Sequence, residues 1–444
     1  MNLPSHLHNY QREAVIWAHR VHKGILADDI GLGKTITSIA WADEYATDLF
    51  HPVLVVCPKS LIPQWKEQVE LFSLRPSSYH YLNYEQLGKL DFLPSALIVD
   101  EATYIKSAKA KRTLYTVVTA MHCPNVLFLT ATPIRNNESD MFPMLYTFTP
   151  FLHTSHTGDH ATDLRRSAHY FIQSYFYIDY IHTPKGDIPK IRKMTNAGRQ
   201  MLETILEDRV MRRTKKILRL PPFSREYIAV GMPSEQQKEY NNVLSGVISL
   251  PDSSTKDIPN FLARMTRLRQ ACLSPSLYGG PAVSGKLTWI KDIVPSSDLP
   301  TLIFTNYAEF AKLIHAEIKG SVMLIGEQSA SMRQASIDVF VNGKADVFIL
   351  SASAGGFGLN LQRAKLVIWT DLPWTPDVWE QGTGRAYRQG QTEEVHEIVL
   401  GHKDSIDGKV FRILRQKSRV ADEVSTMIEV WKQLKEDANK KGIV

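Results

Sequence analysis

Short runs of uninterrupted apolar residues recur along the first third of the chain, and helical patterns separate them. The runs lie at residues 24–27, 52–58, 96–99 and 125–129. Apolar stretches of this length, without polar alternation, are typical of strands buried on both faces of a parallel sheet. Because helix-length segments connect them, the pattern predicts an α/β lobe over residues 1–150.

The same alternation returns in the second half of the chain. Further candidates for buried strands lie at residues 302–304, 322–325, 347–350, 366–369 and 395–400. They predict a second parallel-sheet lobe over residues 284–404. Beyond it, Ile406, Val410 and Ile413 recur at helical spacing, so residues 405–444 are expected to form a helical extension that packs back on this lobe.

Residues 151–283, between the two lobes, show mainly helical patterns and few strand signals. We therefore expect a mostly helical insertion and linker. Aromatic side chains cluster near its start, at Tyr170, Phe171, Tyr175, Phe176, Tyr177 and Tyr180. Such residues can stack on nucleic-acid bases, but a place in the hydrophobic core is the favoured interpretation.

Composition narrows the class of protein. The chain has 444 residues, of which 43% are hydrophobic, and its apolar runs are too short to cross a membrane. The first residues lack the apolar core of a signal peptide, which predicts a cytosolic protein. Three distant cysteines, Cys57, Cys123 and Cys272, suggest buried thiols rather than a disulfide framework or a zinc site.

The net charge of +6 is concentrated in one segment. Between residues 161 and 220, thirteen Lys and Arg accompany six Asp and Glu, whereas the rest of the chain is close to neutral. The densest run holds Arg212, Arg213, Lys215 and Lys216. A basic cluster on an otherwise neutral protein indicates a polyanion partner such as nucleic acid, and a solvated charged face is the alternative.

The strongest chemical motif lies at residues 25–40, where a short apolar run leads through a glycine-rich loop into a helical pattern. Gly31 and Gly33 would let successive N–H groups face one phosphate, while Lys34 adds a positive charge and Thr35 a hydroxyl for Mg²⁺. The strand, loop and helix context predicts a nucleoside-triphosphate site rather than an ordinary glycine-rich turn.

Two further features belong with this loop. Asp28 occupies the position where phosphate loops usually begin with glycine. Asp100 and Glu101 follow a buried strand, and ligands of such sheets bind at the carboxyl ends of the strands. Asp100 is therefore a candidate to hold Mg²⁺ and Glu101 to accept the proton of the attacking water, with a helix N-cap as the alternative.

The second predicted lobe carries its own candidates. Residues 351–360 are glycine-rich, and Arg385 and Arg388 are spaced by one helical turn, so both are expected to point the same way. Two solvent-facing arginines are the alternative interpretation.

Taken in order, these segments resemble the Swi/Snf family of DNA-dependent ATPases, which belongs to the helicase-like superfamily two. The resemblance rests on Tyr10-Gln11, on LADDIGLGKT at residues 26–35, on residues 53–72 and 129–137, and on WTPDVWEQGTGRAYRQGQ at residues 374–391. This family also places an acidic residue at the position of Asp28. The resemblance implies two RecA-like lobes and a helical brace, and looks nearest the fork-remodelling, strand-annealing subgroup.

The resemblance also implies roles for single residues. Gln11 would read adenine and Gln381 would contact the nucleotide, while Asp28 would belong to the nucleotide site. Arg385 and Arg388 would act on the γ-phosphate. Nucleotide state would be coupled to movement by Thr130, Thr132, Gly356 and Gly358. The expected DNA contacts are Lys59, Arg212, Arg213, Lys215 and Lys216. Departures from the family pattern at Thr103, Ala131 and Ala352 put coupling efficiency in doubt, not hydrolysis.

The resulting expectation is an ATP- and Mg²⁺-dependent translocase that couples hydrolysis between two lobes to movement along double-stranded or forked DNA. A strand-separating DNA or RNA helicase is one alternative, although no hairpin with an aromatic tip is evident in the sequence. A DNA-binding scaffold without catalysis is the other. We expect a monomer without membrane attachment, in the cytoplasm of a bacterium or of a virus-infected host. The sequence does not indicate which protein partners the chain has.

Overall fold

The computed structural model describes residues 3–46, 50–131, 138–183, 186–249, 255–352, 359–416 and 423–440. The chain divides into two compact units, residues 1–218 and residues 219–444. Within the described residues, no helix is both long and apolar enough to cross a bilayer.

The first unit is built on a six-stranded sheet. Its elements are α1 (Asn9–Val21), β1 (Lys23–Leu26), α2 (Lys34–Ala42), β2 (Val53–Val56), α3 (Ile62–Phe72), β3 (Tyr79–Leu82), β4 (Ala96–Asp100), α4 (Lys111–His122), β5 (Asn125–Leu129), α5 (Phe142–Tyr146), α6 (His160–Tyr175), β6 (Phe176–Thr183), β7 (Gly186–Met194), α7 (Asn196–Arg209) and β8 (Val210–Met211). The strand order is β3-β2-β4-β5-β1-β8, and every neighbouring pair is parallel. The carboxyl ends of β1, β4 and β5 therefore meet at one edge.

The second unit repeats this architecture. Its elements are β9 (Phe223–Val230), α8 (Ser234–Ser245), β10 (Val247–Ser249), β11 (Thr255–Asp257), α9 (Phe261–Leu273), α10 (Gly285–Ile293), β12 (Thr301–Thr305), α11 (Ala308–Glu317), β13 (Val322–Leu324), α12 (Ala330–Val341), β14 (Val347–Ser351), β15 (Leu366–Trp369), α13 (Pro376–Thr383), β16 (Val395–His402), α14 (Ile406–Gln416) and α15 (Glu423–Lys440). Its sheet has the order β13-β14-β12-β15-β16-β9, again all parallel.

The strands predicted from unbroken apolar runs are present in both sheets, and the α/β class with two parallel-sheet lobes is confirmed. In the first unit, Ile25, Leu54 and Phe128 from the sheet pack in one core with Phe171 of α6 and Ile205 of α7. In the second unit, α14 buries Ile406, Val410, Ile413 and Leu414 in the core, as their helical spacing predicted.

The segment between the predicted lobes contains more helix than strand, as expected, but it also holds strands that its sequence pattern did not predict. β6 and β7 form a separate antiparallel hairpin, and β8 and β9 complete the two large sheets. The core of the first unit extends through α6 and α7, past the expected boundary at residue 150. The aromatic cluster is divided: Phe171 and Phe176 are buried, whereas the tyrosines at 170, 177 and 180 are exposed.

Candidate active site

The phosphate loop has the backbone that its glycines predicted. Gly31 has φ +88° and Gly33 has φ +72°, so both lie in the left-handed region, where a side chain would strain the chain. Gly33 caps α2, which begins at Lys34 and carries Thr35 in its first turn. Leu32, between the two glycines, is fully buried. A helix that starts behind such a loop offers N–H donors to a phosphate group.

Lys34 lies across this loop. Its Nζ donates to the carbonyl oxygen of Asp28 at 2.7 Å. Burial lowers the pKa of Lys34, and the nearby carboxylates of Glu101 and Asp100 act in the opposite direction. The carboxyl pair at the end of β4 therefore lies within electrostatic reach of the loop lysine, as the parallel sheet predicted.

Asp100 is held by donors on two sides. The indole Nε1 of Trp65 donates to its Oδ2 at 2.9 Å, and the backbone N–H of Glu101 donates to its Oδ1, also at 2.9 Å. Burial raises the pKa of Asp100, while the Trp65 hydrogen bond and the charge of Lys34 oppose this. Its hard carboxylate oxygens suit Mg²⁺, as does the hydroxyl of Thr35.

Glu101 has φ +52°, a left-handed conformation that is strained for a residue with a side chain. The hydroxyl of the buried Tyr84 donates to the carbonyl oxygen of Asp100 at 2.6 Å and to that of Glu101 at 3.3 Å. Tyr84 thereby stabilises the turn that contains Glu101. No local pattern marked Trp65 or Tyr84 as supports of this pair, because both are distant from it in the chain.

Arg213, one of the predicted DNA contacts, forms a salt bridge with Asp28 of the phosphate loop. Its Nε and Nη2 donate to the two carboxylate oxygens of Asp28 at 3.0 and 2.5 Å, and its Nη1 donates to the carbonyl oxygen of Tyr10. The guanidinium also lies over the Tyr10 ring, 5.2 Å from its centre. Asp28 is fully buried. The salt bridge between Arg213 and Asp28, called the latch below, thus lies beside the phosphate loop and engages the Asp28 carboxylate, and contact of Arg213 with DNA stays a prediction.

The backbone of the basic segment is also hydrogen-bonded to the start of the phosphate loop. The N–H of Ala27 donates to the carbonyl of Met211 at 2.7 Å, that of Asp29 to the carbonyl of Arg213 at 2.9 Å, and that of Lys215 to the Asp29 carboxylate at 3.1 Å. The side chains of Arg212 and Lys216 are exposed, that of Lys215 is partly exposed, and Lys59 is exposed after β2. DNA contact by these four residues remains a prediction.

Gln11 is buried beside the loop. Its Nε2 donates to the carbonyl oxygen of Leu32 at 3.3 Å, and its Oε1 accepts from the N–H of His8 at 3.0 Å. The hydroxyl of Tyr10 reaches the same Leu32 carbonyl at 3.2 Å. Here the Gln11 amide supports the phosphate loop, and its role in reading adenine stays a prediction.

The arginines of the second unit follow α13 rather than lying within it. That helix ends at Thr383, and Arg385 and Arg388 occupy the turns that come next. Arg385 is buried. Burial lowers the pKa of Arg388, and its Nε has no acceptor among the described residues. A desolvated guanidinium of this kind favours an anionic ligand.

A buried glutamate holds the helix that leads to these arginines. Glu397 of β16 accepts from the Nε1 of Trp379, from the hydroxyl of Thr383 at 3.2 Å, and from Arg225 at 2.8 Å. Burial raises the pKa of Glu397, against the effect of Arg225. Gln381 lies partly exposed on the same helix. Glu397 was not among the residues predicted from the sequence, although a glutamate inside an apolar strand run was a usable signal.

Of the residues predicted to couple nucleotide state to movement, the structure describes Thr130. Thr130 is buried at the end of β5, and its N–H donates to the carbonyl oxygen of Leu26 at 3.2 Å, which joins it to β1. Thr132, Gly356 and Gly358 lie outside the described residues. Of the departures from the family pattern, Thr103 and Ala131 are buried.

Comparison with known families decides the relationship. The SNF2-related domain matches residues 10–86 and 77–277, and the helicase conserved C-terminal domain matches residues 285–390. The chain belongs to the SNF2-related family. Its resemblance to Swi/Snf helicase-like ATPases is thus confirmed, and nucleotide use follows from the family.

Several SNF2-related proteins are similar over most of this chain. Mouse chromodomain-helicase-DNA-binding protein 1-like is 27% identical over 94% of this chain and 50% of its own length. The yeast ISWI chromatin-remodeling complex ATPase ISW1 is 26% identical over 93% of this chain and 40% of its own. The Arabidopsis ISWI chromatin-remodeling complex ATPase CHR17 is 26% identical over 91% and 41%. The chain thus spans half or less of these relatives.

A solved structure, the Sulfolobus solfataricus SWI2/SNF2 ATPase core in complex with double-stranded DNA, is 24% identical over 98% of this chain and 97% of that one, with a TM-score of 0.41.

The curated relatives correct the predicted localisation. All three are eukaryotic proteins, and the yeast and Arabidopsis relatives are named as chromatin-remodeling ATPases. Chromatin is nuclear, so the expectation of a bacterial or virus-infected cytoplasm is wrong. Placement in the fork-remodelling subgroup stays a prediction.

Proposed function

We propose that this SNF2-related protein is an ATP-driven motor that moves along double-stranded DNA. The observation that carries the proposal is the phosphate loop of the first unit, with Lys34 within the field of Asp100 and Glu101. The desolvated Arg388 of the second unit supports it. The names of the relatives, which include helicase, DNA-binding and remodeling ATPase, agree with this function.

The proposed chemistry is hydrolysis of the γ-phosphate. The loop glycines and Lys34 would bind the phosphates, and Thr35 and Asp100 would hold the Mg²⁺ that neutralises their charge. Glu101 would orient a water molecule and accept its proton as the water oxygen bonds to the γ-phosphorus. The bond to the β-phosphate then breaks, giving ADP and phosphate.

The two arginines would supply the positive charge that the transition state requires. Arginines in this role accelerate phosphoryl transfer by about 10³ to 10⁵. Since the phosphate loop and these arginines belong to different units, hydrolysis would be linked to movement of the units, and thereby to movement along DNA.

The expected DNA contacts are to phosphates. Arg212, Lys215, Lys216 and Lys59 remain the candidates, because Arg213 is engaged by Asp28. Binding through phosphates is independent of sequence and weakens with salt. We therefore expect ATP hydrolysis to be stimulated by duplexes of any sequence, and less so at high salt.

Steady-state ATP hydrolysis tests this proposal. The full chain is measured alone and with single-stranded DNA, duplex DNA, forked DNA and RNA, at two salt concentrations. Duplex DNA should stimulate hydrolysis, and Lys34→Ala and Glu101→Gln should each reduce the stimulated rate by at least about 100-fold. If either variant retains the stimulated rate, the assignment is wrong. If hydrolysis is absent while ATP still binds, the catalytically inactive scaffold is the better description.

A strand-separating helicase is the second candidate, and the β6–β7 hairpin is the observation that favours it. Such a hairpin could separate the strands of a duplex, and the sequence alone had not revealed it. Unwinding of forked, nicked and blunt duplexes, compared with displacement of the third strand of a triplex, distinguishes the two functions. Unwinding without triplex displacement favours the helicase, and the opposite result favours the duplex motor.

A further inference from the structure

The β6–β7 hairpin is joined to the core of the first unit at its base. Phe176 and Met194 pair there and are buried in the core, and the N–H of Thr195 donates to the carbonyl oxygen of Tyr175 at 2.8 Å. Among the described residues, neither strand pairs with a third strand. Strands of 8 and 9 residues extend about 27 Å. The hairpin is therefore a long two-stranded ribbon with both edges unpaired.

The lower half of this ribbon combines aromatic rings with cations. Tyr177 and Tyr180 are each 54% exposed. The ammonium of Lys193 lies 6.0 Å from the centre of the Tyr177 ring, and the exposed Arg192 pairs with Asp179 at 2.6 Å. Large exposed tyrosines beside basic side chains are typical of surfaces that bind nucleic acid.

The ribbon also has the size of a known DNA-binding element. An isolated two-stranded hairpin is marginally stable in water, so a partner that covers it would stabilise it. The major groove of B-form DNA is about 12 Å wide and admits a two-stranded ribbon, with phosphates along both walls. The major groove of A-form RNA is too narrow for such an element.

We infer that the β6–β7 hairpin grips duplex DNA, with the ribbon in the major groove and Arg192 and Lys193 on the flanking phosphates. This inference rests on the proposed function and adds a contact surface to it. The exposed Tyr177 and Tyr180 lie on the first strand of the ribbon.

The test compares two double variants that remove the same charge. The double variant Arg192→Ala/Lys193→Ala removes two positive charges from the hairpin. The control, Lys319→Ala/Lys344→Ala, removes two positive charges from exposed positions on the second unit. Binding of the full chain to blunt duplex DNA is followed by fluorescence anisotropy over a range of salt. The hairpin variant should bind about tenfold more weakly, with a salt slope lower by about 2, and the control should match the wild type.

A second variant, with a shortened hairpin, distinguishes a loss of DNA binding from a loss of folding. Ile178 and Ile191 face each other in the register, so residues 179–190 can be replaced by an Asn-Gly turn that leaves the buried base intact. This variant should retain its ATP hydrolysis without DNA and its unfolding temperature. It should lose affinity for duplex DNA, while its affinity for duplex RNA of the same length stays within about twofold of the wild type.

The outcomes are distinct. Equal DNA binding by both double variants overturns the inference, as does a loss confined to single-stranded DNA. A loss of unwinding on forks with unchanged duplex binding overturns it in favour of a wedge. If the wild-type chain itself fails to bind duplex DNA, both the proposed function and this inference fall. If the wild type binds and is stimulated while the hairpin variants behave identically, only the inference falls.

Discussion

At the scale of single residues, Asp100 illustrates a conflict between stability and chemistry. Burial raises its pKa, which means that the fold disfavours the charged carboxylate even though Trp65 and Lys34 favour it. A carboxylate in this state costs folding free energy above its raised pKa, and the cost vanishes below the ordinary value near pH 3.9. A charge that the fold tolerates at a cost is typical of a functional site.

This conflict gives a prediction for Asp100→Asn. The neutral amide should raise the unfolding temperature at neutral pH, and the gain should shrink as the pH falls toward about 4. ATP hydrolysis should fall by at least about 100-fold. Thermal unfolding from pH 4 to 8, beside an ATPase assay, measures both effects. Asp91→Asn, an exposed aspartate on the same unit, is the control and should change neither. A lower unfolding temperature for Asp100→Asn at neutral pH would contradict the argument.

The role of a residue could be predicted from the sequence where the residues that share this role lie close together along the chain. Gly31, Gly33 and Lys34 form one short motif, and their geometry agrees with it. The salt bridge of Arg213 was not predictable from the sequence, because a run of cations does not indicate which of its members turns inward. Its partner Asp28 lies 185 positions away, so only the tertiary fold joins them.

At the scale of elements, β8 is short but determines the environment of the phosphate loop. It adds two residues to the sheet, and the chain beyond it bonds to the loop through Asp29 and Asp28. The interior strands β1, β2, β4 and β5 were predicted because burial on both faces makes them continuously apolar. The edge strands β3, β8 and β9 were missed because they are short or partly exposed, so their sequences alternate or carry charge.

The latch between Asp28 and Arg213, which lies just beyond β8, can be tested by two adjacent substitutions of the same kind. Arg213→Lys removes the forked contact to Asp28 and the donor to Tyr10, whereas Arg212→Lys changes an exposed side chain. A lysine does not reproduce a bidentate guanidinium. We expect Arg213→Lys to raise the KM for ATP by about tenfold or more, and Arg212→Lys to leave it unchanged. Steady-state kinetics and DNA anisotropy should be run together. Weaker DNA binding by Arg213→Lys with an unchanged KM would restore its role as a DNA contact.

At the scale of the whole molecule, the division at residue 218 differs from the boundary at residue 150 that the sequence suggested. The sequence boundary followed the last apolar run, but α6, α7 and β8 share the core of the first unit. Phe171 and Ile205 both lie in that core. The pattern did not reveal this, because amphipathic helices look alike whichever sheet they cover.

Two fragments distinguish these boundaries. Residues 1–218 should unfold cooperatively and bind ATP, but they should not hydrolyse it, because Arg385 and Arg388 lie in the second unit. Residues 1–150 should bind ATP at least about tenfold more weakly and unfold at lower temperature, since they lack Arg213 and the helices that cover the sheet. Circular dichroism melts and fluorescent-nucleotide titration give both quantities. A fragment 1–150 as stable as the longer one would contradict the division.

The pairing of Asp28 with Arg213 also has a consequence during synthesis on the ribosome, because the two residues are synthesised at different times. The loop carboxylate is made 185 residues before the arginine that neutralises it. At translation rates of about 5 to 20 residues per second, the nascent chain waits roughly 10 to 40 s with this site incomplete. A pause or premature stop inside that interval leaves a nucleotide-binding loop with an unpaired acid. Such chains should be the ones that chaperones retain and proteases remove.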